Sequence, residues 1–179
     1  MSAPAPLRPC VFFDRDGIVN RSPGPGYVNH LDDFHLLPGF ADCVRAAAAK
    51  GYPAVIVTNQ RGIARGITPP QQLDAMHRHL VDELARGGLD LLDILVCTAA
   101  EDDHPHRKPN PGMLFAAAER HGLDLPRSWM VGDRETDVQT GRNAGVAATV
   151  LVDPGTAPTA ATHRVPDMPA CAALLRERL

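Results

Sequence analysis

Short apolar runs alternate with amphipathic stretches along this chain. Cys10–Asp14 is the first run of strand type, and Pro53–Thr58, Leu91–Thr98, Ser128–Gly132 and Val146–Val152 repeat it. Between them the spacing predicts helices over Phe40–Lys50, closed by Gly51, and from Pro69 to about Gly87, with Thr68 as the cap. Further helices are expected from Asn110-Pro111 to Gly122, from about Glu135 to Ala144 with Gly145 as the stop, and from about Met168 onward. Residues 15–38 are rich in Gly and Pro, contain Pro23-Gly-Pro-Gly26, and read as a flap-like loop too long for a simple connection. Residues 1–8 are expected to be disordered. No repeat and no linker divides the chain, so 1–179 reads as one domain.

Apolar strands that alternate with helices predict an α/β protein: a parallel sheet with helices on both faces, in three layers. In such folds the site lies outside the carboxyl ends of the strands. Asp14, Asp16, Thr58 and Asp133 follow strands, and Lys108 follows the third strand by a ten-residue loop.

Composition narrows the partners. A chain of 179 residues can bury roughly 70% of its unfolded surface and needs no disulfide staples. Its four cysteines, Cys10, Cys43, Cys97 and Cys171, are scattered and read as reduced thiols of a cytoplasmic protein. A net charge of −3 and eight aromatic residues argue against nucleic acid as a partner. No apolar run approaches the roughly 20 residues that span a bilayer, so no membrane partner is expected. Met1-Ser-Ala-Pro-Ala-Pro has no basic flank and no long apolar core, so no signal peptide is expected. Lysine occurs only at positions 50 and 108, against 16 arginines, which singles out Lys108 as a point charge that arginine replaces poorly.

Four polar clusters carry the candidate chemistry. Asp14-Arg-Asp16-Gly17 places two carboxylates on one side of an extended segment, where one must be neutralised by a cation or a proton. Gly132-Asp133-Arg-Glu-Thr-Asp137 adds carboxylates after the fourth strand, as an oxygen-ligand set for Mg²⁺ requires, and Asp133 also suits a helix N-cap. Thr58-Asn59-Gln60 offers a hydroxyl and two amides to phosphoryl oxygens, and Arg107-Lys108-Pro109 offers two cations.

The order Asp-x-Asp-Gly, Thr-Asn, Arg-Lys-Pro, Gly-Asp-x₃-Asp resembles the haloacid dehalogenase (HAD) superfamily of aspartate-nucleophile phosphatases. Gly26-Tyr27-Val28, Gly62-Ile-Ala-Arg-Gly66 and Pro111-Gly-Met-Leu114 extend the likeness to its capless branch, which contains heptose-1,7-bisphosphate and histidinol-phosphate phosphatases. The resemblance runs from about Cys10 to Val152 and implies a Rossmann-like HAD fold without a large cap domain. It implies a Mg²⁺-dependent phosphatase acting on a small phosphorylated metabolite. The first choice is the C7 phosphate of D-glycero-D-manno-heptose 1,7-bisphosphate, the second histidinol phosphate. A receiver-like phospho-acceptor module is the rival from another class, and Asp16 discriminates against it, because turnover needs an acid and base. By the resemblance Asp14 is the nucleophile, Asp16 the acid and base, and Thr58 and Lys108 hold the transferring phosphoryl group. Mg²⁺ would lie on Asp14, the backbone carbonyl of Asp16 and Asp133, with Asp137 supporting from behind. Gly26, Tyr27, Asn59, Gln60, Arg61 and Arg107 would contact the rest of the substrate. The protein is expected to act as a monomer.

Two departures stand out. The family often carries a zinc loop before Arg-Lys-Pro; here Cys97, His104 and His106 remain, Ala99 occupies a ligand position, and Asp102 or Asp103 would have to be the fourth ligand. The loop is expected to be ordered without zinc. Arg61 stands where relatives commonly have a small residue, which suggests a second cation facing the substrate.

Overall fold

In the computed structural model, which describes residues 6–179, six strands form one wholly parallel sheet. The strands are β1 (Val11–Phe13), β2 (Ala54–Asn59), β3 (Asp93–Cys97), β4 (Trp129–Gly132), β5 (Ala148–Val152) and β6 (His163–Val165), in the order β3-β2-β1-β4-β5-β6. The helices are α1 (Phe40–Ala49), α2 (Arg61–Ala64), α3 (Pro70–Arg86), α4 (Gly112–His121), α5 (Glu135–Ala144) and α6 (Met168–Arg178). β6 and the one-turn α2 are additions to the elements read from the sequence.

Side chains alternate between two cores with the period of two that a strand imposes. Val11, Phe13, Ile56 and Val131 face a cluster with Phe40 and Val44 of α1, Met76 and Leu80 of α3, and Leu175 of α6. Phe12, Val55, Val57 and Met130 face Met113, Leu114 and Ala117 of α4. With both faces covered, the strands read as nearly continuous apolar runs. The chain steps outward from β1 to β3, returns to β4 beside β1, and steps outward again. The order therefore reverses between β1 and β4, where a crevice opens at the carboxyl ends of the strands.

Three expectations need correction. Residues 1–5 lie outside the described residues, but Arg8 is already fixed: its N–H donates to Gly122 O at 3.1 Å, and its carbonyl accepts from Asp124 N–H at 2.9 Å. Thr68 does not cap α3. Pro69 occupies that position, and the Thr68 hydroxyl donates to Asn29 Oδ1 instead. Arg134, not Asp133, is the N-cap of α5. No helix among the described residues is long and apolar enough to cross a membrane.

Candidate functional site

The crevice is a cleft of about 250 Å³. It brings together Asp14, Asp16, Thr58, Asn59, Gln60, Arg61, Arg107, Lys108 and Asp137 with the 23–28 segment of the loop, which includes Gly26 and Tyr27. Sequence reading missed two further lining residues, Arg134 and Thr136, although both stand inside the Gly-Asp-x₃-Asp segment.

Asp14 sits one residue past β1, and its N–H donates to Val131 O at 2.9 Å, continuing the β1–β4 ladder into the cleft. Its Oδ1 accepts from Lys108 Nζ at 2.6 Å, and the same ammonium donates to Asp137 Oδ1 at 2.6 Å. Asn59 sets the lysine's backbone: Lys108 N–H donates to Asn59 Oδ1, and Asn59 Nδ2 donates to Lys108 O, both at 3.1 Å. Asn59 therefore positions Lys108, using its Oδ1 and one of its two Nδ2 hydrogens, while it still lines the cleft.

Asp14, Asp133 and Asp137 each place a carboxylate oxygen within 4.8 Å of the others, so Asp137 stands among the candidate ligands rather than only behind them. Two glycines make the cluster possible. A Cβ on Gly17, at φ +98°, would lie 2.1 Å from Asp133 Oδ2, and one on Gly132 would lie 2.2 Å from Asp137 Cβ. Burial pushes Asp133 up to about 6, with Asp137 adding and Arg134 and Lys108 opposing. Burial also pushes Asp14 up to about 7, opposed by Lys108 and reinforced by Asp137 and Asp16. Asp133 Oδ1 is buried without a hydrogen-bond partner. Three carboxylates stand against one buried ammonium and the half-exposed Arg134 guanidinium, 3.9 Å from Asp133 Oδ1, and leave an excess of negative charge when all are ionised. The orphaned oxygen and this excess fit a divalent, oxygen-seeking cation.

The carboxylate of Asp16 points to other partners. Arg15 Nε and Nη2, Asn20 Nδ2 and Gln60 Nε2 all donate to it, at 2.8–3.1 Å. The two carboxylates of the Asp-x-Asp pair are thus compensated separately, Asp14 by Lys108 and Asp16 by Arg15. Gln60 Nε2 also donates to Thr58 Oγ1 at 2.8 Å, so this amide, like that of Asn59, is already engaged. The Thr58 hydroxyl proton stays available to the cleft. Tyr27 packs against Gly62 and accepts at its hydroxyl from Arg65 at 3.2 Å, which docks the loop onto α2.

Arg61 and Arg107 share one partner, the exposed carboxylate of Asp102. Arg107 Nη1 also reaches Ala99 O at 3.4 Å. In the same loop, Cys97 Sγ lies 3.7 Å from His104 Nδ1, and the His106 N–H donates to that nitrogen at 3.2 Å. Cys97, His104 and His106 do not converge as a ligand group; among the described residues only the three aspartates do.

Comparison with known proteins gives four matches. A family model described as HAD-hydrolase-like matches residues 105–174. D-glycero-beta-D-manno-heptose-1,7-bisphosphate 7-phosphatase of Rhodopseudomonas palustris is 36% identical over 154 residues, covering 82% of this chain and 84% of the relative. The D-glycero-alpha-D-manno-heptose-1,7-bisphosphate 7-phosphatase of Burkholderia mallei is 36% identical over 150 residues, covering 79% and 78%. Among solved structures, D,D-heptose 1,7-bisphosphate phosphatase from B. bronchiseptica, complexed with magnesium and phosphate, superposes with a TM-score of 0.84 at 30% identity. That match covers 96% of this chain and 99% of the other.

Proposed function

The chain belongs to the HAD-like phosphatases that include these heptose bisphosphate phosphatases, and on that premise we propose that it releases the C7 phosphate of D-glycero-D-manno-heptose 1,7-bisphosphate. One observation carries the reading: the cleft that pairs Asp14 with Lys108 also holds Arg61 and Arg107, two cations a monophosphate would not need. The relatives are named for both anomers of the sugar.

Asp14 attacks phosphorus in line with the leaving oxygen and forms an aspartyl-phosphate. Asp16, two residues on, protonates the leaving oxygen and then takes a proton from the water that hydrolyses the acyl-phosphate. Lys108 and the Thr58 hydroxyl hold the equatorial oxygens while charge moves between them. Asp14, Asp133 and Asp137, with the backbone carbonyl of Asp16, would hold Mg²⁺. When bound, the ion neutralises phosphoryl charge and draws the anionic substrate to an anionic nucleophile. Arg61 and Arg107 take the second phosphate. Four buried, unpaired cysteines suit a reducing compartment and support action in the cytoplasm. Every group in this scheme comes from one chain, so the proposed chemistry needs no residue from a second copy.

The test is a phosphate-release screen with Mg²⁺ over both heptose 1,7-bisphosphate anomers, histidinol phosphate, nucleotides and 4-nitrophenyl phosphate. The highest kcat/KM is expected for a heptose bisphosphate. Preference for histidinol phosphate would overturn the substrate, and no release from any ester would overturn the activity.

A further inference from the structure

We propose that Arg15, assisted by Asn20, is a positioning residue that fixes the Asp16 carboxyl for proton transfer. The inference rests on the reading of Asp16 as the general acid and base.

Arg15 stands between two site aspartates in sequence, yet its side chain is wholly buried. A buried guanidinium is costly unless it is paired. All of its pairing goes to one residue. Nε donates to Asp16 Oδ1 at 3.1 Å, and Nη2 donates to Oδ1 at 2.8 Å and to Oδ2 at 3.0 Å. Its Cζ lies over the Phe34 ring, 5.7 Å from the centroid, and Nη1 has no partner among the described residues. The charge is therefore spent on Asp16 rather than on a network that knits the core. An apolar side chain in this place would pack on Phe34 without desolvating an ion, so stability alone does not account for the arginine.

The turn supplies the second donor. Arg15 O accepts from the N–H groups of Ile18, Val19 and Asn20, and Gly17 N–H donates to Asn20 O at 2.7 Å. This places the buried Asn20 side chain against Asp16, where Nδ2 donates to Oδ1 at 2.9 Å and to Arg21 O at 2.9 Å. Proton transfer requires a heavy-atom approach of about 2.6–3.2 Å. An aspartate free to rotate about two side-chain bonds would meet that geometry for only part of its time, and Arg15 and Asn20, together with Gln60 Nε2 on Oδ2 at 3.0 Å, remove the freedom.

Leaving-group dependence separates positioning from folding. An alkyl phosphate must gain a proton as it departs, whereas 4-nitrophenyl phosphate leaves as a stabilised phenolate. kcat/KM measures transition-state stabilisation relative to free enzyme and substrate, and so captures this step. The alkyl ester used is the one the wild-type protein turns over fastest, expected to be heptose 1,7-bisphosphate. Arg15→Met should lower kcat/KM for it by on the order of 10²-fold, with a loss for 4-nitrophenyl phosphate smaller by tenfold or more. Arg15→Lys, which keeps the charge, should restore part of the alkyl-ester rate. Equal losses on both esters, or no loss on either, would overturn the proposal. If Arg15→Met does not fold, Asn20→Ala carries the same comparison with a smaller selective loss expected; equal losses there would also overturn it. Asp16→Asn is the control: if its loss is not selective for the alkyl ester, the acid role itself fails, whatever the Arg15 variants do.

Discussion

Lys108 Nζ donates to Asp14 Oδ1 at 2.6 Å, joining two buried residues 94 positions apart in the chain. Burial alone would push the ammonium down. Asp137 and Asp14 outweigh that, and the net effect holds it above the ordinary lysine range. Lys108 thus stays charged at neutral pH and presents one fixed positive point beside the proposed nucleophile.

Removing that point should cost both rate and stability. Lys108→Ala is expected to lower kcat by on the order of 10²-fold or more, as loss of a preorganised donor does. Lys108→Arg should not restore it, because a planar fork cannot occupy a position built for a compact ammonium between two carboxylates. Lys108→Ala also leaves Asp14 and Asp137 buried without their cation, for a loss of about 3 kcal/mol in metal-free buffer. Asp14→Asn should abolish turnover while the protein stays folded. Turnover of that variant within about tenfold of wild type would refute covalent catalysis by Asp14.

Much of this arrangement is legible in the sequence, and the remainder fails for identifiable reasons. Buried parallel strands read as apolar runs, which exposes β1 to β5 and, with them, the strand ends where Asp14, Thr58 and Asp133 stand. β6 is three residues, His163–Val165, with only Val165 buried, and gives no such run. The four-residue α2 contains a glycine and gives no period. The amides of Asn59 and Gln60 look available for substrate, because their partners Lys108 and Asp16 lie 49 and 44 residues away and only the tertiary fold selects them. Arg15 is the extreme case. Nothing in Asp14-Arg-Asp16 marks the arginine as buried, and its burial is visible only once Phe34 is folded against it.

The acidic cluster predicts a pH-dependent response to magnesium. The folded values of Asp14, about 7, and Asp133, about 6, lie above the unfolded carboxyl value near 4. Between those limits the native metal-free protein binds more protons than the unfolded chain, so these groups make stability fall as pH rises through about 4 to 7. A divalent cation relieves the same repulsion when the protons have gone. Mg²⁺ should therefore raise Tm more at about pH 8 than at about pH 5.5, and Asp133→Asn should shrink that difference. Thermal melts in EDTA and in Mg²⁺ at both pH values decide it. An equal rise at both would mean that the ion does not replace protons on these carboxylates.

The loop over 97–107 should serve catalysis without zinc. Its Cys97 and His104 are neighbours, but the His104 Nδ1 already accepts from the His106 backbone, and Asp102 ties the loop to Arg61. Protein stripped with a chelator and returned to Mg²⁺ alone is expected to regain full phosphate release, with Cys97→Ser close to wild type. Stoichiometric zinc in protein purified without chelators, together with loss of activity on stripping, would show that the loop depends on the metal.

Arg107 gives the sharpest test of the bisphosphate reading. Its Nε sits 3.2 Å from Asp102 Oδ1, and Arg61 meets the same carboxylate, so one exposed acid gathers two guanidinium groups at the edge of the cleft. The Arg61 and Arg107 partners hold Asp102 below the usual carboxylate range, so it stays ionised at neutral pH. Neither arginine bonds to Asp14 or Asp16. If the pair binds the phosphate that does not react, its energy is used only by substrates long enough to reach it. Arg107→Ala should then reduce kcat/KM for heptose 1,7-bisphosphate by on the order of 10- to 100-fold, the cost of one charge-assisted contact, and leave 4-nitrophenyl phosphate much less affected. Arg61→Ala should show the same selectivity. Raising salt should weaken the reaction of the bisphosphate in the same direction, because ions screen a charge-assisted contact at the edge of the cleft. Equal losses on the two substrates would place Arg107 in the chemistry or the fold and would favour a simple monophosphate as the substrate.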